Sequence, residues 1–234
     1  MHEPLIDGGI VRKLWIGEAE LYREHLLRLD AESRRNRFGG AVADEFIRRY
    51  CESSALGDAV IHGFFVDGVL RGAAELRPLA AGGEAEAAFS IESEWQSHGV
   101  GTALLERTLL AARNRQIKLL HMTCLAENRR MQQLALKFDA ELTFDFGSVV
   151  GEVEAPHPTP MSMMREFVAD STGFATAMCS TGNHGCSSRR KYLALRGRNI
   201  DAMSANDGCS MRSLSTVGAS RKKTTCKQTH PWQE

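Results

Sequence analysis

Between residues 95 and 105 the chain reads WQSHGVGTALL, with Gly99 and Gly101 one residue apart directly before a helix-forming run. A helix start leaves several backbone N–H groups without partners, and its dipole places positive partial charge there. Such an end attracts anions. Glycines let the backbone approach a phosphate closely and adopt positive φ. A strand, Glu86 to Ile91, runs into the loop. Strand, glycine loop and helix in that order are the wiring of a pyrophosphate cradle. The Gly-Lys-Ser/Thr ending of a Walker loop is absent, and no third glycine completes a dinucleotide fingerprint. A tight turn without a ligand accounts equally well for the glycine pair alone.

The flanking pattern is that of a layered domain. A first strand is expected at Ile10–Ile16, then an amphipathic helix with Tyr22, Leu26 and Leu29 on one face, then another with Ala43, Phe46, Ile47 and Tyr50. Asp67-Gly68 between two apolar runs predicts a tight hairpin. A helix follows the glycine loop, with Leu105, Leu109 and Ala112 on one face. KLLHMTCL (118–125) is a strand, NRRMQQLALKF (128–138) a helix, and a hairpin closes around Gly147. The order predicts α+β with a mixed sheet.

The net charge is zero, yet residues 171–234 carry +7 and the rest −7. Serine and threonine make up a quarter of that basic segment, which holds only six Leu, Ile, Val or Phe residues. A short helix is expected over MSMMREFVAD (161–170), then a disordered tail. No apolar run approaches the roughly 18 residues of a membrane span. A signal pattern is also missing, so a cytoplasmic location is expected and no membrane partner. Cys51 and Cys124 read as buried thiols. The tail spacing Cys179, His184, Cys186 fits no trusted zinc pattern, and no metal is expected. A net +7 gives at most weak, salt-dependent nucleic-acid binding, and a solvated tail without a partner is expected.

The motif Gln-Ser-His-Gly-Val-Gly (96–101) resembles the Gln/Arg-x-x-Gly-x-Gly/Ala signature of the GNAT superfamily of acetyl-CoA-dependent N-acetyltransferases. AENRRMQQLALKFDAEL (126–142) is similar to a second GNAT segment, in which an Asn opens a helix after the fifth strand. LDAESRRNRF (29–38) resembles a helix-to-helix link of bacterial members, and PTPMSMMRE (158–166) a C-terminal ending of one bacterial branch. The resemblance spans about residues 8 to 170. It implies a three-layer α/β domain over 1–170, with a mixed central sheet of six or seven strands and about four flanking helices, before the tail at 171–234.

The resemblance also implies a cofactor, acetyl-CoA, held between splayed fourth and fifth strands. The backbones of Phe89 and Ile91 would bond the pantetheine amides. The N–H groups of Gln96, Ser97, His98, Gly99, Val100, Gly101 and Thr102 would hold the pyrophosphate, and Asn128 would contact the cofactor or cap its helix. Glu86, opening the fourth strand, is the candidate base toward a primary amine, with Glu84 as backup; a solvated strand end is the other reading. A backbone N–H near Phe89 or Ile91 would hold the oxyanion. Two departures stand out. Ala135 occupies the place of the family's thiolate-protonating Tyr, and Asp139 that of a helix-ending Gly. The acceptor would be a small-molecule amine or a protein lysine, and a homodimer fits the resemblance. A non-catalytic acyl-CoA sensor is the alternative function.

Overall fold

Asp67 and Gly68 both take positive φ, 50° and 77°, as a two-residue hairpin requires. Their turn sets β2 (Val60–Val66) against β3 (Val69–Pro78) with Val66 opposite Val69. The computed structural model describes residues 8–54, 59–80 and 82–196, with side chains through residue 178 except those of Ile16, Ser53 and Ser54. Its remaining strands are β1 (Ile10–Lys13), β4 (Glu84–Ile91), β5 (Leu119–Leu125), β6 (Glu141–Asp145) and β7 (Ser148–Glu154). They form one sheet in the order β1-β2-β3-β4-β5-β7-β6. All neighbours are antiparallel except β4 and β5. That parallel step needs a crossover, supplied by α4 (Val100–Asn114).

Strand alternation divides the apolar residues between two layers. Against one face lie α1 (Ala19–Arg28), α2 (Ala31–Phe38) and α3 (Asp44–Ser54), whose Tyr22, Leu26, Phe38 and Ile47 pack with Phe65, Leu70 and Ala73. Against the other lie α4 and α5 (Arg129–Leu136), where Leu105, Ala112 and Ala135 meet Leu76, Ala85, Leu120 and Met122. Leu104, Leu105 and Leu120 are fully buried, each stabilising the fold by about 1.5–3 kcal/mol.

Several expectations need correction. The first strand stops at Lys13 rather than Ile16. The link at 29–38 is a helix, α2, capped by Asp30 accepting from Ser33 N–H and ended by Gly39 at φ 71°. With it, and with α6 (Pro160–Arg196), six helices flank the sheet among the described residues, against about four expected.

The short helix expected over 161–170 is also longer than that. No proline falls between Met161 and Arg196, and the last helix runs on. Phe174 packs edge-on against Trp15 at 5.3 Å, and Ala177 is buried. Contacts divide the chain into Met1–Ser188 and Arg189–Glu234, the latter described only at its helical start. The tail beyond Arg196, with its expected disorder, lies outside the described residues. So do the side chains of Cys179, His184 and Cys186.

Candidate active site

The sheet opens where β4 meets β5. These strands pair only at Glu84↔Leu119, Ala85↔Leu120 and Glu86↔His121. Beyond that, β4 stays paired to β3 as far as Ile91↔Gly72, and β5 to β7 as far as Leu125↔Ser148. Residues 87–91 therefore face residues 122–125 without a ladder between them. Glu92 N–H bonds Arg71 C=O on the β3 side at 3.0 Å. By alternation, the main-chain groups of Phe89 and Ile91 point into the gap. Main-chain amides lined up without partners suit an extended ligand that carries amides of its own.

The glycine loop sits at the mouth of this gap, directly after β4. Ser97 and Gly99 take positive φ, 66° and 84°. The first intrahelical bond of α4 is Ala103 N–H to Gly99 C=O, 3.1 Å. Gly99, Val100, Gly101 and Thr102 therefore have N–H groups without an intrahelical acceptor. The two glycines answer to different demands. Gly99 has open space around it and is required by its φ. A Cβ on Gly101 would lie 3.3 Å from Leu134 Cδ2 and 3.5 Å from Ile91 Cδ1, so Gly101 lets α5 and β4 approach α4. Val100, whose side chain the sequence leaves without a role, is fully buried beside Phe64, Ala74 and Leu104.

Gln96 is a brace. Its Nε2 donates to Ile91 C=O (2.9 Å) and to Ser33 Oγ (3.0 Å), while its Oε1 accepts from Arg130. It ties the end of β4 to α2 and α5, and occupies one lone pair of the Ile91 carbonyl. Asn128 caps α5, its Oδ1 accepting from Met131 N–H at 3.1 Å. Ser97 and His98 are exposed. Two cations not singled out in the sequence stand at the loop: Arg130 on Gln96, and Lys137, whose Nζ donates to Thr102 Oγ1 at 3.3 Å. Lysine 36 residues after Gly101 carries no local signal; only the fold brings it there.

On the face toward α1–α3, Glu84, Glu86, Ala88 and Ser90 follow one another along β4. His121 on β5 hydrogen-bonds Glu84 (Nε2 to Oε2, 3.1 Å) and has Glu152 3.4 Å from Nδ1. Glu86, half-buried, sits between Arg77 of β3 and His121. It has no hydrogen-bond or ion-pair partner among the described residues.

Two buried polar clusters escaped the sequence reading. Glu75 of β3 is 2% exposed, and its Oε2 accepts from Tyr22 (2.8 Å), Tyr50 (2.6 Å) and Arg37 (2.9 Å). Burial alone would raise its pKa; the Arg37 charge, the Tyr50 hydrogen bond and Arg77 outweigh it and hold the carboxylate below the ordinary value. Burial and the Glu75 charge push the Tyr22 phenol well up. The second cluster is His25, fully buried, between Glu92 (Nδ1, 3.2 Å) and Ser90 (Nε2, 3.0 Å). Burial lowers its pKa against the pull of Glu92. Glu92 feels burial upward, but hydrogen bonds from His25 and Arg71 and the charge of Arg28 bring it down to about 2. The basic run SRRNRF is spent on protein acids: Arg34 on Asp44, Arg35 on Glu127 and Arg37 on Glu75.

Cys124 points into the α4–α5 layer and is buried, which raises its pKa. Among the described residues, no base stands by it as a nucleophile would need. Ala135 is 3% exposed, packed in the core, so no side chain there reaches the gap. Asp139 takes φ 58°, the left-handed turn expected of it. No group of metal-binding side chains occurs among the described residues, and no described helix is long and apolar enough to cross a membrane.

The Acetyltransferase (GNAT) family matches residues 23–139. Among solved structures, the GNAT domain of S. lividans PAT is similar at 24% identity and TM-score 0.55, covering 64% of this chain and 93% of that one. A GNAT-family acetyltransferase from Streptococcus pneumoniae is 15% identical, TM-score 0.51, over 63% and 99%. The ribosomal-protein-S18-alanine N-acetyltransferase from Escherichia coli is 13% identical, TM-score 0.50, over 65% and 97%. No curated protein matches. Acetyl-CoA is the acetyl donor in this family, and a gap lined by free amides beside a helix N-terminus fits its pantetheine and diphosphate. By the matched residues and by its fold, the chain belongs to the GNAT acetyltransferase family.

Proposed function

We propose that the protein is an N-acetyltransferase that moves an acetyl group from acetyl-CoA to a primary amine by direct attack. The observation that carries this reading is the parting of β4 and β5 after Glu86↔His121, with the free N–H groups of α4 at its mouth. Phe89 and Ile91 would bond the pantetheine amides. The amides of the 96–102 loop would hold the diphosphate, with Lys137 and Arg130 adding positive charge. When bound, acetyl-CoA supplies an activated acyl carbon.

The chain's own task is to make the amine nucleophilic. A primary amine arrives protonated at neutral pH, and a carboxylate within reach, directly or through one water, relieves it of that proton. Glu86 is suited to this. It stands at the apex of the gap, on the face away from α4, and holds no cation of its own. Glu84 is committed to His121, which favours Glu86 over the backup. The Glu84, Glu86 and Glu152 carboxylates around His121 suit a cationic acceptor, either a small amine or a protein lysine.

Transfer from acetyl-CoA to a panel of amines and lysine peptides tests the reading. Glu86→Gln should lower kcat by about 10²–10⁴-fold, the usual worth of a general base. The buried Ala135 in place of a thiolate-protonating residue favours a second reading, a non-catalytic acyl-CoA sensor. Tight CoA binding by calorimetry, with no transfer across the panel, would select it.

A further inference from the structure

Arg77 and Glu86 sit directly opposite each other on β3 and β4. Side chains so placed are about 5 Å apart at Cβ, and opposite charges there attract. The ion pair is nonetheless not made. The Arg77 guanidinium instead donates to Oε1 of Glu75, two residues back on its own strand, and hydrogen-bonds Tyr50, whose ring it overlies at 5.9 Å.

Glu75 wins this competition because it is already fixed. Arg37, Tyr22 and Tyr50 all converge on its Oε2, so Oε1 is presented in one geometry. Pairing with it requires the ordering of Arg77 alone, whereas pairing with half-buried Glu86 requires ordering both side chains. The other groups facing Glu86 are Glu84 on its own strand and His121 from β5, itself shared with Glu152 of β7. From the helices over this face come Tyr22, Arg37 and Tyr50, all turned toward Glu75.

We propose that Glu75 is a positioning residue for acetyl transfer: it draws Arg77 away from Glu86 and so keeps the Glu86 carboxylate unpaired and able to accept a proton. This rests on the reading of Glu86 as the base. A carboxylate paired with a guanidinium gives up about one to three pKa units of basicity, so a released Arg77 would silence the base without touching it.

The test titrates the Glu86 carboxyl carbon by NMR in the full-length protein, the signal being identified by its loss in Glu86→Gln. Acetylation of Nα-acetyl-lysine amide is followed in parallel. In Glu75→Gln the titration midpoint should fall by about one unit, kcat should fall about tenfold, and a second change, Arg77→Met, should restore both. Arg77→Met alone removes a nearby charge but no ion pair, so it should move the midpoint by clearly less than a unit. This single variant alters a partly exposed side chain and reports whether Arg77 is already paired with Glu86 even if Glu75→Gln fails to fold. A rise of about a unit or more in Arg77→Met, as loss of an ion pair gives, would show Arg77 already paired with Glu86 and overturn the proposal. So would a midpoint unmoved in folded Glu75→Gln. Transfer undiminished in Glu86→Gln would instead overturn the base reading, whatever the titrations show.

Discussion

Glu86 and His121 are the last residues at which β4 and β5 stand in register; past them the two strands no longer pair. The candidate base therefore lies at the apex of the gap. The thin end of the wedge joins acid–base groups, and its open end meets the amides of α4. On the proposed function, cofactor binding and proton transfer fall to opposite ends of one strand.

The loop glycines should respond differently to alanine. Gly99→Ala places a Cβ on a backbone at φ 84° and should cost about 1–2 kcal/mol of stability, together with a weaker Kd for CoA. Gly101→Ala meets a flexible Leu134 terminus at 3.3 Å and should leave the melting temperature nearer the wild type. Thermal melts and calorimetry on both variants check the order.

Lys137 should act as a phosphate-directed charge. Its Nζ reaches Thr102 Oγ1 at the start of α4. A hydrogen bond to a charged group contributes about 1.5–3 kcal/mol, so Lys137→Ala should raise the Kd for CoA by roughly tenfold or more. The deficit should shrink as salt rises, because exposed charges are screened. Calorimetry at two ionic strengths measures it.

Stability should rise with pH through the acid range. Burial lowers the His25 pKa from 6.5, so as pH falls through 6.5 the unfolded chain takes the proton first. Glu92, held at about 2 against an ordinary 4.5, does the same below 4.5. Both contributions are complete above 6.5 and are lost on acidification. His25→Gln should make the upper part of the melting-temperature curve less steep, with buried His62, held low in the same way, supplying the remainder, and Glu92→Gln should do the same below 4.5.

Cys124 should be silent. Its thiol is buried and its pKa raised by that burial, so little thiolate forms at pH 7. Cys124→Ala should retain acetyl transfer, and iodoacetamide should not inactivate the native enzyme. Rapid inactivation traced to Cys124 would mean that the β5 side of the core is open.

What was legible in the sequence is local. Asp67-Gly68, the glycines before α4 and the Asn128 cap each declare themselves through nearest-neighbour geometry. The helix α2 does not. AESRRNRF has no apolar stripe, and it is helical because Asp30 caps it and Phe38 alone buries deeply. The partners of its arginines were equally hidden. Arg37 and Glu75 are 38 residues apart, and only the packing of α2 on the sheet, over β4 and β5, makes them a pair. The parting of β4 from β5 was expected from family resemblance; pairing between distant strands leaves no mark within either segment.

Amide hydrogen exchange, read at residues 87–91 and 99–102 with and without saturating acetyl-CoA, tests the central claim most directly. The Phe89 and Ile91 amides should exchange freely in the unliganded protein and slow by at least about tenfold on binding, together with those of Gly99 to Thr102. Strong protection of Phe89 and Ile91 before any ligand is added, unchanged by acetyl-CoA, would mean that the strands are zipped together and would contradict the account.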